Sequence, residues 1–269
     1  MPVEDVLISL RCIREAGFKE IVLTGIHLGC YGTDLSPATS LSRLLRVMQE
    51  REPVDRIRLS SIEPLEITDE LIALVAASSA RPRHICRHFH IPLQSGDDTV
   101  LQRMHRPYRR KDFRQRIESI HRELPEAAIG ADVMIGFPGE TDQVYRKTLS
   151  FIESLPLSYL HVFPFSPRKG TPAYAFPDRV PTDIVKERCR EMRELGRAKR
   201  LAFLEKHLHT DMEVLVETSP DLKTGRLKGV SSNYIKVLLD KTADMGNTFQ
   251  KVRIEAVHDP QTLIGHVLT

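Results

Sequence analysis

Residues 130–141 read GADVMIGFPGET, an apolar run that ends in a turn rich in glycine and proline. A short apolar run bounded by turn residues predicts a buried strand, here over 128–135. The residues that follow predict an amphipathic helix at 142–155 and a further strand at 160–165. Strand, helix and strand in this order indicate a unit whose two strands lie parallel.

The same alternation continues towards the amino terminus. The predicted strands, in chain order, are 21–24, 56–60, 88–93, 128–135 and 160–165. The predicted helices that separate them are 3–16, 41–50, 69–77, 111–124 and 142–155. Five strands separated by helices favour an α/β fold with parallel strands and right-handed crossovers. A barrel, a half-barrel and a doubly wound sheet all fit this order.

The pattern changes after a stretch rich in proline and glycine, SPRKGTPAYAFPDRVP (166–181), and one long charged helix predicted at 183–208. Short strand-like runs separated by turn residues follow, at 212–217, 227–230, 234–239, 252–257 and 263–267. This pattern predicts a small all-β domain, an open barrel. The predicted domains are therefore 1–209 and 210–269.

Composition sets limits on partners and location. The chain has 269 residues, of which 41% are hydrophobic and 28% charged, which is typical of a globular protein. A net charge of +3 does not by itself indicate nucleic acid. The sequence has no apolar run long enough to span a membrane, and its first residues lack the layout of a secretory signal. We therefore expect a cytoplasmic protein without a membrane partner.

Cysteine and histidine give no metal motif. Cys12, Cys30, Cys86 and Cys189 are scattered, and no two have the spacing of a ligand pair. Three histidines lie close together between 84 and 90, but the sequence places no carboxylate near them. We therefore expect no metal site in this chain.

The residues after each predicted strand are the best candidates for ligand binding, because ligands of parallel α/β folds lie at the carboxyl ends of the strands. Small, polar or glycine-rich residues follow all five strands. Glycine lets a ligand approach the backbone, and hydroxyl or carboxylate groups can hold a ribose or an amino-acid group. A single glycine after a strand equally fits an ordinary turn. Five such turns at one edge favour a ligand pocket.

Asp132 lies inside an apolar strand, where a carboxylate needs a partner. Two interpretations remain open: it faces an arginine in the core, or it serves at the mouth of the barrel.

A cluster of basic residues lies between 103 and 116, with Tyr108 and His105 among them. Its members are Arg103, Arg106, Arg109, Arg110, Lys111, Arg114 and Arg116. Guanidinium groups suit phosphate contacts, and aromatic rings stack on unpaired bases. The alternative is a solvent-exposed helix face with no partner.

Five ordered segments resemble the methylthiotransferase family of radical S-adenosylmethionine (radical SAM) enzymes. They are LTGIHLGCYG (23–32), RIRLSSIEP (56–64), HFHIPLQSGDDTVLQRMHRPY (88–108), GADVMIGFPGET (130–141) and VFPFSPRKGTPA (162–173). The residues from about 210 resemble the TRAM domain, a small β-barrel that holds tRNA. The details TGIHLG, SSIEP and MHRPY look most similar to the branch acting on threonylcarbamoyladenosine. They look less similar to the isopentenyladenosine branch or to the branch acting on a ribosomal protein.

The resemblance implies a partial (β/α) radical-SAM half-barrel followed by a small all-β, OB-like TRAM domain. The implied activity is methylthiolation of C2 of N6-threonylcarbamoyladenosine at tRNA position 37, in the anticodon loop. The implied cofactors are S-adenosylmethionine and two [4Fe–4S] clusters. The residues expected to bind S-adenosylmethionine are Thr24, Gly25, Ser61, Glu63, Gln94, Ser95, Asp132, Gly136 and Phe165. Those expected on the tRNA side are Arg103, Arg106, Tyr108, Arg109, Arg110 and Lys111.

The sequence departs from the family at its cluster ligands. Family members carry three cluster cysteines in an N-terminal domain and a C-x3-C-x2-C loop after the first barrel strand; neither matches this sequence. Because thiolates hold such clusters, we expect an incomplete enzyme that is inactive alone, with a separate cluster-bearing N-terminal chain as a candidate partner. A non-catalytic tRNA-binding module, an enzyme of the isopentenyladenosine branch and a cluster-free α/β enzyme of unrelated chemistry remain alternatives.

Overall fold

The computed structural model describes residues 1–78, 84–240 and 245–268, and its first part is a parallel α/β structure. The six strands of this part are β1 (Glu20–Leu23), β2 (Arg56–Leu59), β3 (His84–Ile85), β4 (His88–Gln94), β5 (Ala128–Ile135) and β6 (Tyr159–Pro164). The five predicted strands are confirmed to within a residue or two at each end. The sequence did not reveal β3, which has only two residues.

The six strands form two parallel sheets, in the orders β1-β2-β3 and β4-β5-β6. The sheets meet where Ser61 forms a parallel bridge with His90, and where the amide of Ile62 donates to the carbonyl of His90 at 3.0 Å. The two sheets are thus joined between β2 and β4, but they do not close into a complete barrel. The predicted half-barrel is confirmed.

Helices cover the outer face of the half-barrel. They are α1 (Val3–Glu15), α2 (Leu41–Arg51), α3 (Asp69–Ser78), α4 (Asp98–Arg103), α5 (Arg110–Glu123), α6 (Asp142–Glu153) and α7 (Thr182–Glu205). Ser40 and Thr141 cap α2 and α6 by accepting hydrogen bonds from the amides of Arg43 and Val144. The sequence reading missed α4, whose six residues are too few to show helical periodicity.

Strand β5 shows how the layers form. Ile129, Ala131, Val133 and Ile135 are fully buried beneath the helices, while the residues between them face the lumen. At Gly130 an added Cβ would lie 2.0 Å from the Tyr159 ring, so glycine makes room for an aromatic ring inside the half-barrel.

The C-terminal part is a closed five-stranded barrel. Its strands are β7 (Asp211–Pro220), β8 (Leu227–Ser231), β9 (Lys236–Leu239), β10 (Phe249–Asp259) and β11 (Thr262–Val267). The sequence predicted an open barrel, but β7 pairs with β10 and closes it, in the order β10-β11-β9-β8-β7. Closure leaves this sheet without an unpaired edge.

The hydrophobic core of this barrel also includes residues that precede residue 210 in the sequence. Ala128 of β5 and the α7 residues Phe203 and Leu204 pack with Val214, Val237 and the other core residues of the barrel. Within the described ranges, no helix is both long and apolar enough to cross a membrane.

A buried ionic cluster joins the two parts. Glu20 accepts hydrogen bonds from Arg56 and, at 2.8 Å, from Arg58. Arg56 also donates to the carbonyl of Val230 at 2.8 Å, and Arg58 to those of Ser231 and Ser232 at 3.1 Å. Burial raises the pKa of Glu20, but the two guanidinium groups together lower it by more, so its net pKa lies below the ordinary value. The carboxylate is therefore ionised at neutral pH.

We expect Glu20→Gln to lower the free energy of unfolding by about 3 kcal/mol, because it leaves two buried guanidinium groups without a counter-charge. The measurement is equilibrium unfolding in urea. The control is Glu123→Gln, which removes an exposed pair with Arg122 and should cost less than about 1 kcal/mol. Equal losses in both variants would contradict the structural role of the cluster.

Candidate functional site

The loops that follow the parallel strands form a rim at the carboxyl end of the half-barrel. Thr24 and Gly25 are exposed in the loop after β1, and Ser61 is exposed after β2. The amide of Phe165, after β6, donates to the carbonyl of Ile135 at 2.7 Å, which ties this loop to β5.

Glu63 and Arg106 form an ion pair at this rim, with 3.0 Å between Oε1 and Nη1. Burial raises the pKa of Glu63, Arg106 lowers it, and the net pKa lies above the ordinary value. The second carboxylate oxygen, Oε2, is buried without a hydrogen-bond partner. A ligand with an N–H or ammonium group could satisfy it.

Ser95 does not offer its side chain to a ligand. It is 1% exposed, and its hydroxyl accepts from the amide of Asp97 at 3.3 Å and lies 3.5 Å from the hydroxyl of Thr148. Its neighbour Gln94 is largely buried and has a left-handed backbone, φ 65°. Ser95 therefore shapes the turn after β4, and its expected place in the S-adenosylmethionine site stays a prediction.

The turn after β5 is held by Glu140. Its Oε1 accepts from the amide of Gly136 and from Arg188, both at 3.0 Å, and its side chain is 1% exposed. Burial raises the pKa of Glu140 and the two donors lower it, with a net upward shift. Gly136 has φ 82°, and an added Cβ would lie 2.4 Å from Val185. The sequence alone assigns Glu140 no role, because its partner Arg188 lies 48 residues away along the chain.

Phe165 lies beside this turn. Its ring packs edge-on against that of Phe137, with 5.2 Å between the ring centroids. The Phe165 side chain is half-buried, so part of it is exposed at the rim.

The lumen below the rim contains a cavity of about 780 Å³. Its half-barrel lining includes Glu20, Val22, Arg56, Arg58, Ser61, His88, His90, Tyr159 and His161. The C-terminal barrel lines the rest and inserts Tyr234 from the turn after β8, with its ring centroid 4.6 Å from that of His88. The barrel thus contributes directly to the wall of the lumen.

Asp132 faces histidines rather than an arginine. Its Oδ1 lies 3.1 Å from Nε2 of His90 and 3.4 Å from Nδ1 of His161. Burial raises the pKa of Asp132, but the two imidazoles together lower it by more. The net pKa of this carboxyl lies well below its ordinary value. The carboxylate is ionised at neutral pH.

The expectation that no carboxylate lies near the histidine cluster is therefore wrong. The parallel pairing of β5 with β6 sets Asp132 beside His161 in register, and β4 brings His90 to the same place. His161 was missed because it is distant in sequence. The alternation of His161 and Phe163 on one face of the predicted strand 160–165 could have indicated it.

The structure separates the residues expected on the tRNA side. Tyr108 cannot stack on an unpaired base, because it is 2% exposed and its hydroxyl donates to the carbonyl of Pro92 at 2.8 Å. Arg103 lies 3.6 Å from Asp178, and Arg106 holds Glu63. Arg110 lies over the ring of Phe151.

Arg109 and Lys111 are exposed at the start of α5. Among the residues that the structure describes, neither has an ion-pair partner, unlike Arg116, which contacts Asp69. These two residues, with the half-buried Arg110, are the part of the basic cluster that is free to meet an anion.

The cysteines do not converge. Cys12 and Cys30 are exposed, and Cys86 and Cys189 are buried. In the part of the chain that the structure describes, the residues that could together hold a metal are His90, Asp132 and His161, with no thiol among them. An iron–sulfur cluster held by several thiolates does not fit these residues.

The family follows from the extent of the match. The model of the radical SAM superfamily matches residues 1–152, more than half of the chain. The chain belongs to this superfamily. Its half-barrel is similar to that of coproporphyrinogen III oxidase from Escherichia coli, a radical SAM enzyme, with a TM-score of 0.52 and 16% identity over 75% of this chain and 44% of that chain.

Curated relatives match both parts of the chain. The threonylcarbamoyladenosine tRNA methylthiotransferase of Bacillus subtilis (strain 168) is 38% identical over 254 residues, which are 93% of this chain and 55% of the relative. The tRNA-2-methylthio-N(6)-dimethylallyladenosine synthase of Desulfitobacterium hafniense is 32% identical over 94% of this chain and 56% of the relative. The chain thus spans a little over half the length of these relatives.

We expect Glu140→Ala to lower the free energy of unfolding by about 3 kcal/mol, because Arg188 and the Gly136 amide lose a buried acceptor. Urea unfolding measures the loss. The matched control, Glu118→Ala, removes an exposed helix pair with Arg114 and should cost about 0.5 kcal/mol. A loss below 1 kcal/mol for Glu140→Ala would show that the turn does not depend on this carboxylate.

Proposed function

We propose that this chain forms the cofactor-binding half-barrel and the RNA-binding domain of a tRNA methylthiotransferase. The reaction would attach a methylthio group to C2 of N6-threonylcarbamoyladenosine at position 37, in the anticodon loop. The observation that carries the proposal is the match to such an enzyme over 93% of the chain, through both the half-barrel and the C-terminal barrel. A cytoplasmic location accords with a tRNA substrate.

The threonylcarbamoyladenosine branch is favoured over the dimethylallyladenosine branch by identity at equal coverage. Relatives of the first branch from Bacillus subtilis and Rickettsia prowazekii are 38% and 36% identical over 93% of the chain. The relative of the second branch from Desulfitobacterium hafniense is 32% identical over 94% of the chain.

S-adenosylmethionine fits the rim. The unpartnered Oε2 of Glu63 suits its ammonium group. Gly136 stays in the proposed set through its place in the turn after β5, where Val185 fills the space that a Cβ would take. Phe165 offers a half-buried ring for the adenine, and Thr24 and Ser61 offer hydroxyls at the ends of β1 and β2. The Ser61 hydroxyl also lies 2.6 Å from Nδ1 of His90. Gly25 and Gln94 complete this proposed set. In this superfamily the bound cofactor is the source of a carbon radical; the residues here bind and orient it.

The [4Fe–4S] clusters do not fit this chain, because its four cysteines are scattered over exposed and buried positions. We therefore assign the clusters to polypeptide outside these residues, such as a separate cluster-bearing chain. The same observation favours a second candidate function, a non-catalytic tRNA-binding module. Methylthiolation in the presence of a cluster-bearing partner would distinguish the two functions.

Anaerobic reconstitution with iron and sulfide should leave the isolated chain without acid-labile sulfide and without broad visible absorbance, because a cluster needs convergent thiolates. Sulfide and iron analysis after desalting measures this. Bound iron without sulfide would agree with the prediction. About four irons and four sulfides per chain would contradict it.

The tRNA contact is proposed at the start of α5 and on the C-terminal barrel. We expect Arg109→Ala, Arg110→Ala and Lys111→Ala together to weaken tRNA binding in a salt-dependent way. Each lost phosphate contact should reduce the slope of log K against log salt by about 0.7–0.9. Binding titrations at several salt concentrations measure the slope.

The control for this variant is Arg43→Ala, Arg51→Ala and Arg122→Ala, which removes the same charge from exposed positions on α2 and at the far end of α5. This variant should retain the wild-type slope. Equal slopes in all three proteins would show that the start of α5 is a solvated helix face.

A further inference from the structure

Three groups that can bind a metal meet inside the lumen. Asp132 lies between His90 and His161, and one ligand atom from each residue lies within 4.8 Å of the other two. From this convergence we propose that His90, Asp132 and His161 bind a first-row divalent cation such as Zn²⁺. This site borders the rim assigned to S-adenosylmethionine, because the rim residue Ser61 contacts His90. Asp132 is transferred from the rim set to this site.

The distances agree with ligation. Zinc lies about 2.0–2.2 Å from imidazole nitrogen and carboxylate oxygen, so that two ligands in a tetrahedral arrangement are about 3.3 Å apart. The two contacts of Asp132 Oδ1, at 3.1 and 3.4 Å, bracket this value. The side chain of His161 is 50% exposed, so its ring can turn to complete the set.

The contact between His90 and Asp132 is not a well-aligned hydrogen bond. Nε2 of His90 is buried without a hydrogen-bond partner, although the carboxylate oxygen is only 3.1 Å away. Nε2 of His90 is therefore a buried ring nitrogen that could accept a further partner beside the Asp132 carboxylate. On the other side of the ring, the Ser61 hydroxyl lies 2.6 Å from Nδ1. Such a partner fixes the orientation of a metal-bound imidazole.

Access suits a ligand, and Asp132 supplies a negative charge within the set. The surrounding charge is mixed: Arg56 and Arg58 share the single carboxylate of Glu20, and Arg200 lies over the ring of Tyr159. His90 and His161 both line the cavity of about 780 Å³. Three protein ligands with an open side are typical of zinc sites that keep a position for water or another oxygen donor.

The test uses the full chain carrying Cys12→Ser and Cys30→Ser, which removes the two exposed thiols. After treatment with a chelator and its removal, the protein is titrated with Zn²⁺ by calorimetry and with Co²⁺ by visible spectroscopy. We expect one ion per chain. Asp132→Asn and His161→Ala should each weaken binding at least tenfold, and Ser61→Ala should weaken it by about 10–100-fold at unchanged stoichiometry.

The matched control is His266→Ala, which removes an exposed histidine that contacts Glu255 at 2.8 Å. It should bind Zn²⁺ as the parent does. Because His161 is half-exposed, its variant should fold even if Asp132→Asn does not. Three results would overturn the proposal: no binding of either ion, binding that survives His161→Ala, or a thiolate-to-cobalt charge-transfer band. The first would leave the three residues as a polar network without metal.

Discussion

Glu20 supplies the negative charge that allows two arginines to be buried at the base of the half-barrel. Without it, Arg56 and Arg58 would carry uncompensated charge in a place that water barely reaches. With it, their remaining donors are free to bind the carbonyls of Val230, Ser231 and Ser232. The position of the C-terminal barrel and the lower wall of the lumen both depend on this cluster.

The cluster also explains why a boundary in sequence near residue 210 is not a boundary in packing. Phe203 and Leu204 precede that point and belong to the core of the C-terminal barrel. The side chain of Tyr234 follows it and lies among the rings of the half-barrel. Because each part contributes core residues to the other, we expect the two parts to unfold together rather than as independent domains.

Much of the fold could be predicted from local patterns. Short runs of four to eight residues identified the strands, and the turn after β5 was visible in GFPGET because glycine and proline mark turns. The closure of the C-terminal barrel could not be read in this way, since it depends on the pairing of β7 with β10 across some forty residues. Tyr108 shows a similar limit: it stands among arginines in sequence, yet it is buried against β4.

The site was predictable only where it follows from strand ends. Glu63 and Gly136 could be proposed from the sequence because every parallel strand delivers its following loop to one edge. The meeting of His90, Asp132 and His161 depends on the register of three strands. A shift of one residue would turn an inward side chain outward, and no local feature of the sequence fixes that register.

The position of the C-terminal barrel, which inserts Tyr234 into the lumen, limits which ligands can contact both ends of the half-barrel. The C-terminal barrel occupies the amino ends of the strands, and the rim lies at their carboxyl ends, seven residue steps away along β5. At about 3.3 Å per residue this separation is roughly 23 Å. A single nucleoside cannot reach from one end to the other. A ligand that touches both ends must therefore be an extended body several nucleotides long.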